Sequence, residues 1–173
     1  FLNQLDPTST TYLMPVALDI DGALDRAVMH AAVGDVIARH AALRTIHPTD
    51  DDGVPRQVVL AVDDALTRPW WRETASIDDA MALCANGFDV TREMPIRAAL
   101  AGSGERHRLV VVMHHIAGDA ASGGILARDL IEGYRRRLAG DRLPPLDVGL
   151  ADHTVWEHAV LGPVDDPTSV LAE

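Results

Sequence analysis

The sequence predicts a mixed α/β (α+β) fold, a sheet with antiparallel pairs flanked by helices. Segments in which apolar residues alternate interleave with segments in which they recur every four residues. Two apolar runs, Ile96 to Ala101 and His107 to His114, are separated by Gly102-Ser103-Gly104-Glu105. That is a hairpin signal, which a purely parallel sheet would lack. The 173 residues, 47% of them hydrophobic, are enough for one domain with a real core.

Met14, Val16, Leu18 and Ile20 alternate, which predicts a strand with one buried face, broken at Asp21-Gly22. Leu24, Val28, Ala32 and Val36 then give a helix from about Leu24 to His40. Asp51-Asp52-Gly53 is a turn, and Gln57 to Val62 reads as a short strand. Ile77 to Asn86 reads as a short helix closed by Gly87. After the hairpin, Ile125, Leu126, Leu130, Ile131, Tyr134 and Leu138 mark a helix ended by Gly140. Leu143-Pro144-Pro145-Leu146 is a loop, Ala151 to Leu161 a short helix, and Pro163 to Pro167 linker-like.

Charge narrows the partners. Fifteen cations, all of them Arg, against 26 anions leave a formal charge of −11, a field that repels nucleic acid and anionic membrane surfaces. The longest apolar stretch, Leu109 to Met113, is strand-sized and far short of the ~18 residues of a membrane helix. No basic-then-apolar leader opens the chain, and a start at Phe1 reads as a piece of something longer. A single cysteine, Cys84, gives no disulfide framework and suits a buried apolar position in a cytoplasmic protein. Met29, Met81 and Met94 read as core filler, Trp70-Trp71 as a loop anchor, and Arg135 to Arg137 as a solvated helix end complementing its dipole.

The densest cluster of reactive groups runs from Met113 to Ser122, where a buried strand gives way to a helix. On a strand His114 shares a face with Val110 and Val112, and His115 with Val111 and Met113, so at most one of the pair can face a cavity in the same way and the other must be satisfied elsewhere. A neutral imidazole at a strand end can act as a general base. A buried pair of histidines explains the spacing equally well. His115 and Asp119 stand four apart, but Gly118 intervenes and no third ligand is placed, so no metal is expected. Gly118 to Ser122 does not make the G-x-S-x-G elbow of a hydrolase. Gly118 permits a tight turn, and Asp119 or Ser122 can cap the following helix.

His114-His115-Ile116-Ala117-Gly118-Asp119 closely resembles the HHxxxDG motif of the condensation domains of non-ribosomal peptide synthetases, relatives of chloramphenicol acetyltransferase. Other segments resemble the family in order: Phe1 to Pro7 the end of its opening motif, Arg39 to Thr45 its RHxxLRT segment, Phe88-Asp89-Val90 with Pro95-Ile96-Arg97 its FDL…PLR stretch, and Leu150-Ala151-Asp152 with Val155-Trp156 its YADYAVW segment. The resemblance implies a chloramphenicol acetyltransferase-like lobe, with residues 1–161 as the N-terminal lobe and 162–173 starting the connection to a C-terminal lobe that the chain lacks. It implies peptide-bond formation between a donor acyl or peptidyl thioester and an acceptor aminoacyl thioester. Both would ride on phosphopantetheine arms of upstream and downstream carrier-protein domains, with no metal and no directly bound cofactor. His115 matches the catalytic histidine. His114, Asp119 and Arg44 match its structural support, the last two as an ion pair. Gly118, Ala120 and Ser122 fall in the turn beside the channel.

The motif's final Gly is Ala120, and the aromatic that often follows is Ala121. An Ala forced to positive φ would cost about 1 kcal/mol or more. A silent docking or recruitment domain therefore stands as an alternative, as does a stand-alone acyltransferase dependent on CoA or a carrier. Silent relatives usually lose the second His, which this chain keeps. Ile116-Ala117 with Thr8 to Tyr12 resembles the subgroup that takes a D-configured donor.

Overall fold

The computed structural model describes residues 2–162, Ser169 and Val170, so the linker reading of Pro163 to Pro167 lies outside the described residues. In chain order the elements are α1 (Leu2–Leu5), β1 (Leu13–Asp21), α2 (Arg26–Arg39), β2 (Thr45–Ile46), β3 (Val58–Val59), α3 (Val62–Thr67), β4 (Trp71–Thr74), α4 (Ile77–Met81), β5 (Ile96–Ser103), β6 (Arg106–His114), α5 (Ala120–Leu138) and α6 (Leu150–Leu161). Short 3-10 turns cover Ala41–Arg44, Ala82–Ala85 and His115–Ala117.

The main sheet has the order β1-β6-β5-β4. β1 and β5 flank β6 antiparallel, while β4 joins β5 parallel, so the sheet is mixed as expected. β6 is the central strand and its alternation feeds two cores. Leu109, Val111 and Met113 pack with Val33, Val36 and Ile37 of α2 and Leu126 and Leu130 of α5. Val110 and Val112 pack on the opposite face with Ala80, Leu83, Phe88 and Val90. β1 lies at the edge and packs its Met14, Val16, Leu18 and Ile20 face on the first core, with Leu13 at its start on the second.

Charged groups hold α2 against α5. Arg137 grips Asp35 through two bonds of 2.6 Å, so it is an interhelical clamp and not the solvated helix end its position suggested. Asp129, 4% exposed on α5, accepts from Arg39 Nε at 3.1 Å and lies 2.8 Å from His40 Nε2. Arg97 lies 3.9 Å over the buried Phe88 ring and donates to the Gly87 carbonyl, which accounts for the spacing of the Phe88 and Arg97 segments.

Several expectations change. The Gln57 to Val62 strand shrinks to β3, because Val62 starts α3 instead. β4, a four-residue strand, was absent from the sequence reading. Met81 is 39% exposed, since α4 turns it away from Ala80 and the core, and Cys84 is only partly buried. Gly87 does not close its helix by a left-handed conformation. A Cβ there would stand 2.4 Å from the Pro7 carbonyl oxygen, so the residue makes room for the N-terminal segment.

Candidate active site

The sheet register delivers the motif. β6 ends at His114, paired with Leu13, and its backbone N–H donates to the Pro95 carbonyl at 3.0 Å. The His114 side chain is 6% exposed between the rings of Tyr12 and Phe88. Its Nδ1 accepts from the Ile116 N–H at 3.0 Å, which requires a neutral ring with its proton on Nε2. Burial lowers the His114 pKa, and the neighbouring His115 and His47 push it the same way. His47 is itself lowered by burial, and its Nδ1 is buried without a hydrogen-bond partner.

His115 has the opposite environment. Its backbone N–H donates to the Tyr12 carbonyl at 2.8 Å, while its exposed imidazole makes no hydrogen bond among the described residues. The pair therefore does not face the cavity in the same way: His114 is buried and satisfied by the Ile116 N–H, while His115 is exposed. The strand stops at His114 and the 3-10 turn swings the next residue round, so both histidines line a cavity of about 420 Å³ with Leu2, Asn3, Tyr12 and Ile116.

Asp119 caps α5. Its carboxylate accepts from the Ser122 N–H at 3.0 Å, and Ser122 Oγ accepts from the Asp119 N–H at 3.0 Å. These Ser122 bonds hold the Asp119 carboxyl below the usual carboxylate range. The expected Arg44–Asp119 pair does not form. Arg44 donates instead to the Leu60 carbonyl, where β3 crosses the end of the 3-10 turn, and its Nε is buried without a partner. From the same segment it is Arg39 and His40 that reach α5, at Asp129.

Two details of the turn also differ from expectation. Gly118 is extended, at φ −179° and ψ −179°, so no tight left-handed turn requires it. A Cβ there would lie 2.9 Å from Ser122 Cβ and Oγ, so glycine lets the capping serine approach. Ala120 is the first residue of α5, and no non-glycine residue among those described has positive φ. The motif's Gly-to-Ala change therefore carries no backbone strain.

The sequence reading missed Asn3, His47 and Asp129 as parts of this region. Asn3 Nδ2 donates to the Phe88 carbonyl at 2.7 Å and ties α1 to the cavity wall. A larger cavity, about 680 Å³, lies at the opposite end of β6 around Asp19, Asp78, Arg106 and Arg108. It is roughly 25 Å from His114 at strand rise, too far to share its chemistry.

The comparisons fit this geometry. The family model described as Condensation domain matches residues 1–164. The chain belongs to the condensation-domain family. A probable non-canonical nonribosomal peptide synthetase, CymA of Salinispora arenicola, is 44% identical over 99% of this chain, which spans 2% of that protein. An isonitrile lipopeptide synthase of Mycobacterium tuberculosis is 40% identical over 99% of this chain, which spans 7% of it. Among solved structures, the X-domain from teicoplanin biosynthesis superposes at a TM-score of 0.75 with 34% identity, covering 92% of this chain and 36% of that one. The first condensation domain of the calcium-dependent antibiotic synthetase gives 0.74 and 26%, covering 91% and 40%. The chain thus spans well under half of the solved domains it matches and a small part of the curated relatives.

Proposed function

We propose that residues 1–161 are the N-terminal lobe of a condensation domain that joins two thioesters held on the phosphopantetheine arms of carrier-protein domains. The acceptor amine attacks the donor thioester carbonyl, the amide C–N bond forms, the C–S bond breaks, and the released pantetheine thiol takes up the proton. The observation that carries this reading is the contrast at the motif. An exposed imidazole with no hydrogen-bond partner among the described residues faces a cavity, on a turn where the His114, Asp119 and Ser122 side chains are hydrogen-bonded. His115 would orient the amine and accept its proton, or donate to the tetrahedral oxyanion. His114, Asp119, Gly118 and Ser122 would hold the turn in place, and Ala120 would open the helix beside the channel. Arg44 would support the site only by fixing the 3-10 turn to β3.

α6 supports the two-lobe organisation. Its 12 residues include Leu150, Val155, Trp156 and Val160, and none of its residues is buried. An apolar helix left uncovered is what a missing second lobe, joined through residues 162–173, would leave. A second reading, a silent recruitment domain, draws on the X-domain likeness, since an X-domain that is 33% identical has been solved in complex with OxyB. Amide formation by the full-length protein with loaded carrier proteins separates the two. Condensation is expected; its absence, with the carriers still bound, would favour recruitment.

A further inference from the structure

Tyr12 stands immediately before β1, across from the reactive turn. The β1–β6 register pairs Leu13 with His114, so the next step along the ladder sets Tyr12 opposite His115. The Tyr12 carbonyl accepts the His115 N–H at 2.8 Å and ties the two backbones together there. Both side chains line the 420 Å³ cavity. The Tyr12 ring is half-buried and lies 5.9 Å from that of His114, tilted by 41°, while its hydroxyl makes no hydrogen bond among the described residues.

The other side chains of the cavity have little left to offer a polar substrate. Asn3 donates from Nδ2 to the Phe88 carbonyl at 2.7 Å and accepts at Oδ1 from the Val90 N–H at 3.4 Å. His114 spends Nδ1 on the Ile116 N–H, and the residue is only 6% exposed. Leu2 and Ile116 supply apolar wall. The imidazole of His115 and the phenol of Tyr12 are thus the groups best placed to meet the reacting atoms.

We infer that Tyr12 is a second catalytic residue, whose phenol O–H donates a hydrogen bond to the oxyanion of the tetrahedral intermediate while His115 serves the amine. The inference rests on the condensation reading and divides between two side chains the roles that reading leaves to His115 alone. As the acceptor amine adds to the donor thioester carbonyl, the C–N bond forms and the carbonyl oxygen takes the negative charge. Tyr12 donates to that oxygen and keeps its proton. His115 accepts the amine proton and passes it to the sulfur as the C–S bond breaks. A neutral imidazole cannot accept the amine proton and donate to the oxyanion through the same nitrogen, whereas a phenol is a donor throughout. The apolar neighbours Leu2 and Ile116 strengthen such a bond by lowering the local dielectric.

The test compares the full-length protein with its Tyr12→Phe variant, which deletes the hydroxyl and keeps the ring beside His114. With loaded carrier proteins, kcat should fall by about 10²–10³-fold, the usual loss for one oxyanion donor, while KM holds within about two-fold. The unfolding midpoint should stay at the wild-type value. An unchanged kcat, a rise in KM alone, or a midpoint that falls with the rate would overturn the assignment. Calorimetry with two pantetheine-linked probes keeps the two claims apart: a phosphonate, whose tetrahedral anionic centre stands in for the intermediate, and the matching planar, neutral amide. Tyr12→Phe should weaken the phosphonate by about ten-fold or more and leave the amide unchanged. Equal effects on both probes, or none on either, would overturn the oxyanion role. If the wild type forms no amide with any pair of carriers, the condensation reading fails. Tyr12 then stands as an oxyanion donor only if the phosphonate binds more tightly than the amide and Tyr12→Phe removes the difference, and it falls otherwise.

Discussion

The two halves of the motif sit side by side and are built on opposite terms. Its base, the end of β6 with His114, is buried, ring-packed and hydrogen-bonded, and its imidazole is held neutral. Its lip, the turn at His115, is tied down through backbone and capping bonds while its imidazole stays exposed. Two identical side chains adjacent in sequence therefore face different physics. The lesson is that a buried base can fix the backbone of a turn while the side chain on that turn stays exposed.

The largest expected break comes from the clamp beneath the lip. Asp129→Ala leaves Arg39, His40 and Arg128 without their shared carboxylate, and should cost toward the lower end of the roughly 3–5 kcal/mol seen for a broken buried pair, since its partners are partly exposed. Denaturant unfolding measures it. The Arg39→Ala, Asp129→Ala double variant should lose less than the sum of the singles. Burial pushes the Asp129 carboxyl up, but hydrogen bonds from His40 and Arg128 outweigh it and the net shift is downward. Its contribution is therefore complete above the ordinary carboxylate pKa of about 4 and is lost as the pH falls through the lower, folded value.

The base itself gives the next effect. His114→Ala should cost about 1–3 kcal/mol, because the Ile116 N–H loses its acceptor. The pH dependence is more specific. Because the folded chain keeps His114 neutral, the unfolded chain binds the extra proton as the pH falls below about 6.5, and stability declines from there toward the lowered folded pKa. His114→Asn keeps an acceptor near Nδ1 and cannot titrate, so it should remove part of that slope and leave the share due to His47. A slope identical to wild type would contradict the neutral, buried base.

Smaller effects belong to the lip. Asp119→Ala removes the cap of α5 and should cost about 1 kcal/mol. A loss of several kcal/mol would restore a buried partner for this carboxylate. Ala120→Gly should bring no gain, and a loss of up to about 1 kcal/mol, because Ala120 already has ordinary helical backbone. An increase in melting temperature would show strain at that position after all.

Much of this contrast was legible in the sequence. The alternation through β6 put His114 on the Val110 and Val112 face, and burial followed. The hairpin and the four-residue periodicity of α2 reported local physics, and local physics prevailed. What was missed depends on distance in the chain. Arg44 and Arg39 are five residues apart in one segment, and only tertiary placement decides that Arg39 reaches α5 while Arg44 turns back to Leu60. β4 is a four-residue parallel edge strand, too short for alternation to register. The escape of His115 from its strand face needed the 3-10 turn, which no side-chain pattern announces.

The division of labour is tested most directly by His115→Ala in the full-length protein, with condensation rate and unfolding midpoint measured on the same preparation. The rate should fall by about 10²–10⁴-fold, the usual loss for a removed general acid–base group, while the midpoint stays at the wild-type value because the exposed ring makes no hydrogen bond among the described residues. Full condensation activity in that variant, or a midpoint that falls as far as that of His114→Ala, would contradict the assignment of chemistry to the lip and structure to the base.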